Sequence, residues 1–428
     1  MSAVAAPLTG QVHAGPHQGP GHHPARHPSH PEPRGPALRG PRRLQGRLPE
    51  LDYVLLLAAI AVTAFGFVMV ASASLSVAAN TYGSPFYFVM RHALALGLAV
   101  TAGLVCFAVP VRWWERAGPI LFLVGLAMLV LVLVPGIGRS ANGATRWIPL
   151  GPLNIQSSEF MKFFAVIYVS GFLVRRQQEV ANTLLGFVRP MIPMALASLL
   201  ILAEPDFGTT AVMLATVMGL LFLGGVPVVN FLVLLGMVGA ALVALIIIEP
   251  YRLQRLTSFT DPFADVFGKG YQLSQALIAF GRGEWLGVGL GQGIQKQHFL
   301  PEAHTDFLMA TIGEEFGFVG VLVVILLFGV ITWRAFRIGG RAHRQGDLFS
   351  AYVAHGLGLG LGLQAFINIG VNVGLLPTKG LTMPFMSYGS NSLIVAIMAI
   401  GVLLRIHRAL HKGQDEPIPA AEDPWVRV

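Results

Sequence analysis

The sequence predicts an all-α polytopic membrane protein of about ten transmembrane helices, with a large extracytoplasmic loop between spans seven and eight. Three observations carry this. Hydrophobic residues make up 54% of the chain and charged residues 12%, and the mean hydropathy is +0.65. Most of the chain must therefore face lipid rather than surround a soluble core. Apolar runs of bilayer-spanning length recur near 53–75, 88–109, 117–135, 158–175, 190–203, 208–224, 227–248, 307–333, 350–374 and 385–406. After the seventh run a long polar segment, 249–306, intervenes, and it closes on Asp306 directly before the eighth.

The fifth and sixth runs are short and separated only by Glu204-Pro205-Asp206-Phe207-Gly208, so they read either as two spans or as one broken helix pair dipping from one side. Orientation follows from Lys and Arg. With the N-terminus in the cytoplasm, the inner segments hold Arg26 to Arg47, Arg112/Arg116, Arg175/Arg176/Arg189, Arg334/Arg337/Arg341/Arg344 and Arg405/Arg408/Lys412. The positive-inside rule then places both termini inside, and the loops 136–157 and 249–306 outside. The net charge of +8 lies in these short loops and tails. It orients a membrane protein and makes no face for a nucleic acid.

Residues 1–49 are rich in Pro, Gly, His and Arg and have little to bury, so a disordered cytoplasmic tail is expected there, with a second cytoplasmic tail at 413–428. The membrane domain is 50–412. The tail histidines have no fixed geometry that would make a metal site. The single cysteine, Cys106, excludes an intrachain disulfide.

A carboxylate at a membrane mouth, here Asp306 in Leu300-Pro301-Glu302-Ala303-His304-Thr305-Asp306-Phe307, points to chemistry on a substrate that is itself in the membrane. Charge inside a span costs on the order of 3 kcal/mol, so it marks function or a paired structural site. Glu159 and Lys162 are three apart at the start of span four and can neutralise each other, contact substrate, or both. On the 136–157 loop, Arg139, Asn142, Arg146 and Trp147 suit a phosphate or sugar, or an interfacial anchor. Asp206 has the position of a helix cap. Asn368 and Asn372, four apart in span nine, can join helices by hydrogen bonds. Lys379 is a lone cation on a short outer loop. Segment 270–280, with Leu273, Leu277 and Phe280 on one face, reads as an amphipathic helix in the interface, and the glycines after it suit a tightly turning backbone.

Arg146-Trp147-Ile148, Ile155-Gln156-Ser157-Ser158-Glu159, Pro205-Asp206-Phe207-Gly208-Thr209, Gly270-Tyr271-Gln272-Leu273, Pro301 to Phe307, and Leu376-Pro377-Thr378-Lys379-Gly380 occur in this order. Together they closely resemble the SEDS family of bacterial cell-wall polymerases, from about residue 50 to 408. Glu302-Ala303 before His304, and Thr378 to Thr382, resemble its division members more than its elongation members. Ser157 stands where the family often has Pro, and a helix-capping serine is compatible there. Ser390 replaces a usual glycine after Met386-Ser387-Tyr388-Gly389.

The resemblance implies a ten-helix peptidoglycan glycosyltransferase that polymerises lipid II, working with a class B penicillin-binding protein (FtsI type) and other divisome proteins in the bacterial cytoplasmic membrane. It implies that Asp306 is the essential aspartate, that Glu159 and Lys162 are an intramembrane pair, and that Arg146 and Lys379 are outer cations. Trp147, Asp206, Gln272, Glu302, His304 and Ser387 lie in the matched motifs and complete the expected substrate-binding set. Asp306 is then the expected general base on an attacking sugar hydroxyl. The leaving pyrophosphate needs positive charge from Arg146, Lys162 or Lys379, or from a divalent cation, Mg or Mn, bridging Asp306 and phosphate oxygens. No zinc site is expected, and His304 is expected as a hydrogen-bonding neighbour. One carboxylate fits inversion better than a two-carboxylate retaining scheme. The alternatives are a lipid II flippase and a non-catalytic division scaffold.

Overall fold

The computed structural model describes residues 50–141, 144–150, 153–248, 259, 261–268, 270–297, 299–377 and 380–412. The two expected tails and Lys379 lie outside the described residues. The long helices are α1 (Tyr53–Tyr82), α2 (Tyr87–Ala108), α3 (Val111–Leu133), α4 (Ser157–Arg175), α6 (Leu184–Ala203), α7 (Phe207–Leu223), α8 (Val228–Ile248), α10 (Leu308–Arg344), α11 (Leu348–Asn372) and α12 (Ser390–Lys412). A short α5 (Gln177–Asn182) and the loop helix α9 (Tyr271–Gly283) complete the helices.

Each expected span has its helix. Among the described residues seven are long and apolar enough to cross a membrane, and the apolar stretches Val188–Ala203, Phe207–Leu223 and Val228–Ala241 are shorter. α6 and α7 are separate helices joined by the turn at Glu204–Asp206, which resolves the fifth and sixth runs into two elements. Two bounds differ from the sequence expectation. The eighth span continues to Arg344, because the basic residues after 333 extend the helix beyond its apolar part. The tenth begins at Ser390, since residues 381–389 form turns before it.

The helical fold carries one small sheet, in the loop between α3 and α4. Residues 139–156 fold as a small antiparallel sheet, β1 (Arg139–Ala141), β2 (Ala144–Leu150) and β3 (Leu153–Gln156), in the order β1-β2-β3. Trp147 faces Gln156 and Ile148 faces Ile155 across the β2–β3 pair. Ala144 and Ile148 are buried, and Thr145, Arg146 and Trp147 between them are half-buried.

Local chemistry sets the helix ends. Asp52, Asp206 and Asp347 cap α1, α7 and α11 by accepting the amides of Leu55, Thr209 and Ser350. At the end of the bundle where α1 starts, Asp52 also takes both Nε and Nη2 of Arg334 from α10. α10 packs along α11 and α1, α12 along α2, and α3 along α4. The main core runs between α1, α4, α10, α11 and α12 through Leu55, Met69, Ile167, Leu308, Phe328, Leu357 and Leu403. α4 is buried almost all round. Polar groups on α4 therefore meet protein rather than lipid, the setting in which charge is tolerated inside a membrane protein.

Candidate active site

At the opposite end of the bundle, residues 301–307 form a tight turn that delivers Asp306 to the start of α10. Glu302 has a left-handed backbone (φ 57°), and its carbonyl accepts the amides of Thr305 and Phe307 at 3.1 Å. The Thr305 hydroxyl closes the turn on the Glu302 carboxylate at 2.6 Å. A non-glycine residue held at positive φ is uncommon and persists where the surroundings enforce it. Here those surroundings are the two asparagines of α11. Asn368 and Asn372 both donate to the Asp306 carbonyl, at 3.0 and 2.9 Å. Asn368 also reaches the carbonyl of Leu381 at 2.6 Å, tying the loop before α12 to the same point. The Asp306 side chain is half-buried, and a Cβ added to Gly380 would stand 3.2 Å from its Oδ2.

His304 stacks against this mouth. Its ring lies 4.8 Å from Phe88 and 5.6 Å from Tyr388, and its carbonyl accepts the Tyr388 amide at 2.9 Å. Burial pushes the imidazole pKa below its ordinary value, and the neighbouring Glu302 carboxylate offsets this in part. Burial thus biases His304 toward its neutral form, and aromatic packing fixes its ring.

A second cluster joins α4 to the α6–α7 turn. Glu159 and Lys162 pair at 2.9 Å with their side chains largely buried. Lys162 also donates to Gln364 of α11 at 2.6 Å, and Gln364 donates to the Thr382 carbonyl at 3.0 Å. The pair therefore supports the loop that lies beside Asp306. Asp206 caps α7 and also accepts from Ser158 at 3.1 Å and from the Thr209 hydroxyl at 2.8 Å. Ser157 does not cap α4; its hydroxyl donates to Glu204 at 3.0 Å. Burial pushes the Glu204 carboxyl up to about 8, with the Ser157 hydrogen bond opposing and the Asp206 charge adding to the shift.

Arg146 on β2 donates to the backbone carbonyls of Glu204 and Pro205, so this cation fastens the sheet to the α6–α7 turn. Trp147 is half-buried beside it on the same strand. The Ser387 hydroxyl is buried and accepts the Met383 amide at 2.9 Å. Gln272 is half-buried on α9. That helix does not simply rest in an interface: Leu273, Ala276 and Ala279 are buried against neighbouring helices, and Phe280 packs directly over Gly313 of α10. Among the described residues no group of three or more His, Cys, Asp or Glu is placed to hold a metal ion. Asp306 offers one carboxylate, which matches the usual Mg²⁺ arrangement of few protein ligands completed by substrate phosphates.

A third cluster centres on α10 and carries no motif in the sequence beyond its paired acids. Glu314 and Glu315 are fully buried in α10, and they meet Arg282 at 2.6 Å and Lys296 at 2.5 Å. Two adjacent acids inside an apolar run were the available signal.

Residues 52–412 match the model of the FtsW, RodA and SpoVE family, described as a cell cycle protein family. A protein of Allochromatium vinosum named "Probable peptidoglycan glycosyltransferase FtsW" is 59% identical over 94% of this chain and 98% of its own length. A Nitrosococcus halophilus protein of the same name is 52% identical over 84% of this chain and 93% of its own. Among solved structures, a chain of a peptidoglycan synthase complex that coordinates polymerization and crosslinking superposes with TM-score 0.69 at 28% identity, covering 85% of this chain and 99% of that one. The rod shape determining protein RodA of Thermus thermophilus superposes with TM-score 0.62 at 28% identity, covering 84% of this chain and 97% of that one.

Proposed function

This chain belongs to the FtsW, RodA and SpoVE family of cell cycle proteins, and we infer that it is a multi-pass membrane peptidoglycan glycosyltransferase working in cell division. Its substrate on this reading is lipid II, polymerised into glycan strands at the outer face of the cytoplasmic membrane at the septum, with both termini in the cytoplasm. A class B penicillin-binding protein that crosslinks the strands is the natural partner, as the similarity to a synthase complex supports, within a set of divisome proteins.

The observation that carries the chemistry is the Asp306 turn. Its backbone is held by two asparagines, and its half-buried carboxylate lies against Gly380 at the mouth of α10. Asp306 takes the proton from the attacking sugar hydroxyl as the new oxygen–carbon bond forms at the anomeric centre. The bond to the lipid pyrophosphate breaks at the same centre, and the pyrophosphate leaves with the electron pair. Attack opposite an α-linked leaving group gives a β-linkage, so one carboxylate suffices.

The cations divide the remaining work. Arg146 and Lys162 are engaged with backbone carbonyls and with Glu159 respectively, so they hold the fold around the site. Charge for the pyrophosphate falls to Lys379, the residue before Gly380 in the sequence. A divalent cation such as Mg²⁺ or Mn²⁺ would be held by Asp306 together with substrate phosphates and would supply further charge neutralisation.

The test is polymerisation of labelled lipid II by the purified protein with its cognate penicillin-binding protein, the transpeptidase blocked, for the parent chain and Asp306→Asn. Long glycan from the parent and none from a folded, partner-binding variant is the expected result. Equal polymer from both would overturn the base role. No polymer from either would favour transport of the lipid, to be followed by a transbilayer assay.

A further inference from the structure

α10 breaks at Gly317 (φ 64°, ψ −160°). In an unbroken helix the amides of Phe318 and Val319 would meet the carbonyls of Glu314 and Glu315. Here those carbonyls accept the amides of Val288 and Gly289, at 3.0 Å each, and Phe318 and Val319 donate to the carbonyls of Glu284 and Trp285 at 2.8 and 3.1 Å. One loop thus satisfies these four groups at the break, as an apolar setting demands. The approach depends on glycine. A Cβ on Gly317 would stand 2.5 Å from the Gly287 nitrogen, and one on Gly287 would collide with the Glu315 carbonyl.

The side chains of the same two acids hold the same loop. Glu314 accepts the amides of Ile294 and Gln295 at 2.9 and 3.1 Å as well as the Arg282 guanidinium. Glu315 takes Lys296, and both its oxygens lie 2.9 Å from the Ser72 hydroxyl of α1. Lys296 in turn donates to Ser72 at 2.7 Å. The lysine is 6% exposed and Glu315 1%, so a buried ion pair and the half-buried Ser72 form a triad spanning loop, α10 and α1.

We propose that the Lys296–Glu315–Ser72 triad sets the position of the Asp306 carboxylate, by clamping the loop before it and the α10 turns after it into one rigid piece above the Gly317 break. Lys296 and Glu315 are then positioning residues for glycan polymerisation. This rests on the reading of Asp306 as general base. Without the triad, the tie to α1 is lost and the flexible Gly317 break is braced only by the backbone bonds and Glu314 contacts to the loop. A misplacement of ~1 Å at reacting atoms costs on the order of 100-fold in rate.

The experiment compares the full chain, with its penicillin-binding partner, as parent, Lys296→Met, Lys296→Arg, Lys296→Met/Glu315→Gln and Asp306→Asn. Lipid II polymerisation kinetics, thermal unfolding and amide exchange at Val288 and Gly289 are the readouts. The double variant leaves no uncompensated buried charge, so its unfolding midpoint stays near that of the parent. Its kcat is expected to fall roughly 100-fold with KM within about twofold, its Val288 and Gly289 amides to exchange faster, and Lys296→Arg to recover most of the rate. A double variant with parental kcat, or one whose loss lies wholly in KM, would overturn the proposal. If Asp306→Asn is inactive while the double variant is fully active, the triad alone fails. If Asp306→Asn polymerises normally, the reading of the base fails and the proposal with it.

Discussion

Asn372 donates its side-chain amide to the carbonyl of Asp306 at 2.9 Å while its side-chain oxygen accepts the amide of Ala310 at 3.1 Å. One fully buried side chain on α11 thereby fixes the backbone of the proposed base and gives a second acceptor to the Ala310 amide, which also donates to the Phe307 carbonyl in the first turn of α10. Asn372→Leu keeps the volume and removes both bonds. It is expected to destabilise the protein by about 1–3 kcal/mol and to lower polymerisation. Thermal unfolding in detergent beside the kinetic assay checks this, and an unchanged midpoint would contradict it.

Gly380 lies against the Asp306 carboxylate, where an added Cβ would be 3.2 Å from Oδ2. Gly380→Ala therefore pushes the carboxylate by a few tenths of an ångström without burying anything or forcing a left-handed backbone. The expected outcome is a parental unfolding midpoint with kcat lowered about tenfold. Steady-state kinetics on labelled lipid II gives the answer.

Lys162 and Glu159 neutralise each other at 2.9 Å with side chains 11% and 6% exposed. Lys162→Met leaves an uncompensated carboxylate inside the bundle and is expected to cost about 3–5 kcal/mol. Glu159→Gln/Lys162→Met removes both charges and recovers most of that loss. A double variant as unstable as the single one would show that the pair is not the source of the effect.

The Glu204 carboxyl, raised to about 8, gives a pH signature. Between its ordinary range near 4.5 and about 8, the folded chain keeps a proton that the unfolded chain releases. Stability from this group is therefore complete below about 4.5, declines as pH rises through that window, and is flat above about 8. Glu204→Gln carries no titrating group, so its unfolding midpoint is expected to match the parent near pH 5 and exceed it at pH 8.5. Parallel midpoints across the window would refute the assignment.

Much of the site follows rules that act over a few residues, and these were legible. Glu159 and Lys162 are one helical turn apart, so their pairing follows from helix geometry. Asp206 before Phe207-Gly208-Thr209 has a capping position, and it caps α7. Asn368 and Asn372 share a face; Asn372 joins α11 to α10 at Ala310, and Asn368 ties α11 to the loop carbonyls of Asp306 and Leu381. The Gly317 break was not legible, because a hydropathy window averages across a single residue whose φ is left-handed. Nor was the role of Arg146, since an arginine beside a tryptophan suits a phosphate as well as the backbone carbonyls it holds.

By itself the sequence determined the membrane class, the ten apolar helices, and the acid that ends the long loop, because lipid imposes length and composition on every span. The tertiary structure decided which charges face one another. Lys296 and Glu315 are nineteen residues apart, and Ser72 is more than two hundred from either. Their attraction depends on distance through a poorly polarisable interior, and only the packing of α1, α10 and the loop brings that distance within a hydrogen bond.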